Sequence, residues 1–217
     1  MAKIVEINSY YSSVEKFKKA IAIKAECEEH KEFLKYIRQF AYRHSKENFY
    51  KTYGFINTED KVIAYISFSL SSIDKEDLPS EVTNIPPSHN FPISALKITK
   101  LLVSEDLRGQ GLGTELVTLA HTIALILSHQ VGCRLLLVDA KNKAIEFYKK
   151  SNFIISQKTK KDITLMFKNA ESIKNADFEN YIKFCKDYSL SLFETYLCAI
   201  KTEKEKSVTI NSPQSLF

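Results

Sequence analysis

The sequence predicts an α/β or α+β chain, a mixed sheet carrying helices, and three observations predict it. Two pairs of β-rich runs are each split by turn-forming residues, a long helical pattern follows a glycine-rich stretch, and one short run is apolar throughout. The 217 residues are 44% hydrophobic, enough for a real core, and suit one domain with an appendage.

Taken in order, Ile4–Ile7 reads as a first short strand. Glu28–Lys46 reads as a helix because Phe33, Leu34, Ile37, Phe40 and Ala41 recur at helical spacing. Phe49–Ile56 and Lys61–Ser69 are rich in β-branched and aromatic residues around Asn57-Thr58-Glu59-Asp60, which predicts an antiparallel hairpin. Ser71–Phe91 holds Pro79, Pro86, Pro87, Ser88 and Asn90, so it reads as an excursion across the surface. Ala95–Val103 returns to strand. Gly111–Gln130 is a long helix with Leu112, Leu116, Leu119, Ile123 and Leu127 on one face.

Leu135–Val138 is the continuous apolar run expected of a central strand buried on both faces, followed by a short helix with Ala144, Phe147 and Tyr148 that Asn152 ends. Phe153–Gln157 and Ile163–Phe167 form a second hairpin. Beyond Lys168 an aromatic stripe from Phe178 to Ile200 predicts a helical extension broken near Ser189, packed on the domain; a partner or dimer surface is the alternative. The boundaries expected are 1–168 for the domain and 169–217 for the extension and tail. No internal repeat is present.

The net charge of +5 favours polyanionic ligands without choosing among them. Cys27, Cys133, Cys185 and Cys198 have neither metal-ligand spacing nor a disulfide framework, so no metal is expected and a reducing compartment is. The N-terminus carries Lys3, Glu6, Glu15 and Lys16 where a signal peptide would be apolar. The apolar stretches, interrupted by His121, Ser128 and His129, read as too short to span a bilayer. Cytoplasmic location and no membrane partner are the expectations.

The chemistry concentrates at Arg108-Gly109-Gln110-Gly111-Leu112-Gly113-Thr114, between a strand and a long helix. Glycines let consecutive N–H groups converge on an anion, the helix adds its positive end, and Arg108 adds a formal charge suited to phosphate. The glycine spacing is wrong for a dinucleotide fingerprint. The lysine-plus-hydroxyl ending of a P-loop is missing too.

On these residues LLVSEDLRGQGLGTELV resembles the pyrophosphate loop of the GCN5-related N-acetyltransferases. Downstream, LLLVDAKNKAIEFYKKSNF resembles the same family's strand, asparagine turn, alanine and phenylalanine-tyrosine helix. The resemblance covers roughly Phe33 to Lys168. It implies a mostly antiparallel mixed sheet splayed at the cofactor strand, and acetyl-coenzyme A as cosubstrate. Within the family, FPISALKITKLLVSEDLRGQGLG, VGCRLLLVDA and FYKKSNF look closest to the acetyltransferase toxins of bacterial toxin–antitoxin pairs, which modify the amino group of aminoacyl-tRNA. Four departures stand out. The asparagine-to-alanine turn is one residue short, Asn152 replaces a glycine, Ser104 replaces an aspartate, and Lys100 stands where the toxins commonly have arginine.

Carried over residue by residue, the resemblance implies that Arg108 to Thr114, Asn142 and Phe147 meet the cofactor, while the backbone of Leu102 and Val103 bonds the pantetheine arm and polarises the thioester. Tyr148 is the implied acid. A phenol with a pKa of about 10 stays protonated at neutral pH and can protonate a departing thiolate of about 8.5. No general base declares itself among Glu105, Asp106, Glu115, His121 and Asp139. That favours an α-amino acceptor, already partly neutral with a pKa near about 8. Lys141, Lys143, Lys149, Lys150, Lys158, Lys160, Lys161 and Lys168 are candidates to grip tRNA phosphates, or form a solvated surface. The partners implied are acetyl-coenzyme A, aminoacyl-tRNA and an antitoxin, with homodimerisation open. Acetylation of a protein or small-molecule amine, and cofactor binding without turnover, are the alternatives.

Overall fold

The computed structural model describes residues 3–79, 85–86, 88–160, 162–171 and 177–210. Among them, seven strands form one sheet in the order β1-β2-β3-β4-β5-β7-β6. They are β1 Lys3–Glu6, β2 Lys51–Ile56, β3 Val62–Ile73, β4 Ile93–Val103, β5 Leu135–Lys141, β6 Ile154–Lys160 and β7 Ile163–Asn169. Of these neighbours, β4 and β5 alone run parallel. A parallel neighbour needs a crossover, and the helix after the glycine turn supplies it.

The sheet is covered on both faces, and alternation along β3 decides which residue goes where. Ala64, Ile66 and Phe68 join the larger cluster with α5 (Leu112–Val131), whereas Tyr65 points to the opposite face. That face is covered by α1 (Ile7–Tyr10), α2 (Val14–Ala20), α3 (Glu28–Gln39) and α4 (Ala41–Lys46). Ser13 accepts a hydrogen bond from the Lys16 N–H and so caps α2. A short helix, α6 (Ile145–Lys150), follows β5.

The expected Glu28–Lys46 helix is two helices meeting at Phe40, whose backbone leaves helical geometry at φ −121°. Ile37 and Ala41, on either side of the break, are both buried in one cluster. The long strands run farther than composition predicts. Ser71 pairs with Ala95 and Ile73 with Ile93, so the excursion starts only after Ile73. Residues 80–84 and Pro87 of that excursion lie outside the described residues. Its first part is pinned: Leu78 is buried against Ile73 and Ile93, and the Ser156 hydroxyl donates to the Asp77 carbonyl.

One expectation needs correcting. The helix α5 is long and apolar enough, by length and composition, to cross a bilayer. Nine of its side chains, from Leu116 to Ile126, are buried against the protein, which is how a core helix meets the same criterion.

The extension forms α7 (Phe178–Asp187) and α8 (Ser191–Ile210), broken where Ser189 takes φ 57°. Phe178, Ile182, Cys185, Leu197 and Ile200 are buried in the same cluster as α5 and the sheet. The aromatic stripe therefore packs on the domain, while Leu192 and Tyr196 stay exposed.

Candidate active site

The sheet opens at a defined place. Pairing between β4 and β5 ends at Ile98 and Val138, although β4 continues to Val103 and β5 to Lys141. The cause is local to β4: opposite Ser67 and Phe68 the register jumps from Lys100 to Ile98, which leaves Thr99 bulged, its hydroxyl donating to the Ser67 carbonyl. A bulge bends a strand and adds twist, and here it turns the end of β4 away from β5.

The bulge also reassigns the open edge. The Ser104 N–H bonds to the Ile63 carbonyl on β3, and main-chain groups alternate sides along a strand. Leu101 and Val103 therefore aim their N–H groups into the gap, while that of Leu102 faces β3. The Leu102 side chain is buried against Tyr65 on the far face.

A cleft of about 570 Å³ occupies the gap. One end is the glycine turn. Gly109 and Gly111 have φ of 78° and 86°, with open space where a Cβ would be, so conformation alone requires glycine there. Gly111 is the residue before the first turn of α5, so free N–H groups and the helix's positive end face the cleft. Gly113 is tightly placed for another reason, since a Cβ there would lie 3.2 Å from the Phe147 ring. Gly111→Ala should cost about 1–2 kcal/mol in urea unfolding for its left-handed backbone, and the open space around it means that steric crowding adds nothing.

Arg108, Leu112, Thr114, Val103 and Phe147 line this cleft; Gln110 and Asn142 are exposed and do not. The Arg108 guanidinium lies 3.0 Å from His30 Nδ1 and 3.6 Å from Glu105. The same Nδ1 is 3.0 Å from Glu105 Oε1, and one ring nitrogen cannot both accept from Arg108 and donate to Glu105. Glu105 is held below the usual carboxylate range, first by the Glu26 N–H and then by His30. It ties the start of α3 to the glycine turn. Ser104 reinforces that tie, accepting from the Lys24 N–H and donating to Asp106.

Tyr148 also lines the cleft and is 5% exposed. Its ring stands edge-on to Phe147 at 5.0 Å and to Phe153 at 5.3 Å. Burial pushes its phenol up, so it remains protonated across the physiological range. Asn152 takes φ 63°, the left-handed stop expected of it, and brings Phe153 back to Tyr148 through an N–H bond to the Tyr148 carbonyl.

The carboxylates considered as bases are engaged elsewhere. Asp106 pairs with Lys24 at 2.7 Å, and Asp139, on the cleft wall, pairs with Lys97 at 2.6 Å. Burial raises the Glu115 carboxyl above its usual range. His121 is buried away from this cleft, its Nε2 bonding the Asn169 carbonyl and its Nδ1 the Tyr181 hydroxyl.

The lysines whose side chains are described fall in different surroundings. Lys141 and Lys143 line the cleft, Lys149 pairs with Glu146, and Lys168 lies partly buried near His121, its ammonium disfavoured by burial. Lys158, Lys160 and Lys161 lie outside the described side chains. Sequence reasoning missed the third wall of the cleft, Glu29, His30 and Phe33 on α3. Phe33 was visible only as one beat of an apolar period. Glu29 beside it on the helix face, one turn earlier, was the available signal.

Residues 58–155 match the family model described as acetyltransferase (GNAT) domain. Among solved structures, a tyrosine-to-phenylalanine mutant of KacT aligns at 20% identity and TM-score 0.64, over 79% of this chain and 96% of that one. AtaT complexed with acetyl-methionyl-tRNAfMet aligns at 22% identity and TM-score 0.63, over 79% and 96%. A tyrosine-to-phenylalanine mutant of the toxin AtaT, bound to the C-terminus of the antitoxin AtaR and acetyl-CoA, aligns at 20% and 0.58, over 79% and 94%. At these identities the likeness is one of fold. Over residues 58–155 the chain resembles the acetyltransferase (GNAT) domain, and it has the fold of KacT and AtaT.

Proposed function

We propose that this chain transfers the acetyl group of acetyl-coenzyme A to the α-amino group of aminoacyl-tRNA in the cytoplasm, acting as a toxin restrained by an antitoxin. The observation that carries the transferase part is one cleft lined by a glycine turn suited to an anion, an unpaired strand edge and a buried phenol. The glycine turn and Arg108 fit a pyrophosphate. The Leu101 and Val103 N–H groups fit an amide-bearing arm and a carbonyl on which charge develops, stabilised by fixed dipoles. Acetyl-coenzyme A supplies an activated acyl group with a thiolate leaving group. As the acceptor nitrogen bonds to the acyl carbon and the carbon–sulfur bond breaks, Tyr148 would give the departing sulfur its proton, and the proton shed by the nitrogen would pass to solvent, from which the phenol is restored.

Lys97 holds Asp139, which leaves Glu29 as the cleft's candidate base, and little is asked of it where the acceptor arrives partly neutral. An α-amino group does so, and a lysine side chain does not. Lys100 and Lys141 on the wall opposite the phenol favour an acceptor carrying phosphate. KacT and AtaT support the toxin part by likeness, and the tRNA-bound AtaT supports the acceptor.

The test is transfer of radiolabelled acetyl to bulk charged tRNA, beside deacylated tRNA and a lysine-peptide pool. Label confined to charged tRNA, falling steeply with salt, is the expected result. Label on peptide alone sinks the tRNA reading but keeps the transferase, and no label with retained cofactor binding leaves a binding module.

A further inference from the structure

An aromatic stripe leaves the cleft along α3. Phe33 lines the cleft, Tyr36 follows three residues on along the same face of α3, and Phe40 stands just past the end of that helix, where the backbone breaks. At 1.5 Å rise per residue Phe40 lies about 10 Å beyond Phe33, the length of about three nucleotides stacked at 3.4 Å. The stripe turns onto α4 through His44, whose ring is stacked on Phe40 at 5.7 Å and 29° and lies 5.8 Å from Tyr36. Phe49 flanks the same imidazole at 6.2 Å.

Exposure rises along the stripe. Tyr36 is partly buried, but Phe40 is 46% and Phe49 65% exposed. Packing accounts for the inner rings. It does not account for two phenylalanines around one imidazole that leave their faces to water. The cleft end is cationic: Lys100 Nζ lies 5.7 Å from the Phe33 centroid and 5.3 Å from that of Tyr36, and Lys141 Nζ lies 5.2 Å from Phe33. Lys97 is already paired with Asp139, whereas among the described residues Lys141 has the exposed Glu32 carboxylate within reach, at 4.0 Å.

We propose that Phe33, Tyr36, Phe40, His44 and Phe49 form a stacking track for the unpaired 3′ end of an RNA acceptor, leading its last nucleotide past Lys100 and Lys141 into the cleft. Aromatic faces take any base, and lysines beside them take the phosphates, which is how single strands are held without sequence preference. The proposal rests on the RNA-acceptor reading and deepens it. An apolar protein segment would cover the same phenylalanines, yet would gain nothing from the ammonium groups at the end where the track enters the cleft.

The test is binding of a fluorescein-labelled single-stranded pentaribonucleotide to the full chain and to Phe40→Ala, Phe49→Ala and Phe40→Tyr. Both exposed sites tolerate truncation without a cavity, and circular dichroism checks the fold. Each alanine should weaken binding by about 5- to 150-fold, Phe40→Tyr should preserve it, and an RNA duplex of equal length should not distinguish the variants. No binding by the unmutated chain, or equal binding by the alanine variants, overturns the track. Acetyl transfer to charged tRNA is measured separately. If transfer fails while binding still depends on the rings, the acceptor reading falls and the track stands; if the alanine variants keep an unchanged KM, the track falls and the acceptor reading stands.

Discussion

Tyr148→Phe should lower kcat by about 10²- to 10⁴-fold, the usual worth of a positioned proton donor, while the affinity for acetyl-coenzyme A stays unchanged. The variant removes one oxygen and keeps the ring, so the edge-on contacts with Phe147 and Phe153 survive and the fold is not at stake. Rate and cofactor affinity should therefore separate cleanly. Stopped-flow release of free thiol gives kcat, and calorimetry gives the affinity. A tyrosine that served only as packing would leave kcat within about twofold, a change smaller than about 0.5 kcal/mol in the barrier. Because burial holds the phenol above its ordinary range, it should not contribute a limb to the rate profile between about pH 6 and 9, and any inflection there belongs to the acceptor amine.

The second large effect is on stability in acid. His121 is 1% exposed, and burial lowers its pKa from 6.5 to about 4, with the Lys168 charge adding to the shift. A carbonyl can only accept, so Nε2 carries the proton toward Asn169 and Nδ1 accepts from Tyr181, whose own phenol is pushed up to about 12. The neutral ring fills both bonds. The sign follows from which state binds the proton: between pH 6.5 and about 4 the unfolded chain takes one up and the folded chain does not, so stability is full above 6.5 and falls as pH drops toward 4. The shift of about 2.5 units corresponds to about 3 kcal/mol. Urea unfolding across that range should show the loss. His121→Asn should flatten it relative to the parent chain, whereas parallel curves for the two would mean that the imidazole is not the responsible group. The carboxylates Glu105 and Asp106, both held low, add an acid limb common to both proteins, which is why the difference between them is the informative quantity.

Much of the fold was legible because its signals are local. The Asn57–Asp60 turn needs only its own side chains, with the Asn57 side-chain carbonyl accepting from the N–H groups of Glu59 and Lys61. The glycine turn declares itself by residues that alone tolerate φ near 80°, and Ser189 marked a break that the backbone makes at that residue. Other boundaries were not legible. Ser69 to Ser72 have little strand preference of their own, yet they are strand because Lys97 to Ser94 stand opposite them. The break at Phe40 carries no proline or glycine to announce it, although Ile37 and Ala41 on either side are buried in one core.

The candidate site divides in the same way. By itself the sequence determined the position of the glycine turn, the family likeness and the tyrosine that follows Phe147, since each is contiguous and chemically distinctive. Only the tertiary structure decided which backbone groups face the cleft, because a single bulged residue, Thr99, sets the parity of every N–H after it. It also brought Glu29, His30 and Phe33 to the third wall, about seventy-five residues before the turn they face. That placement depends on Glu105 capping the start of α3, a long-range hydrogen bond that no local pattern encodes.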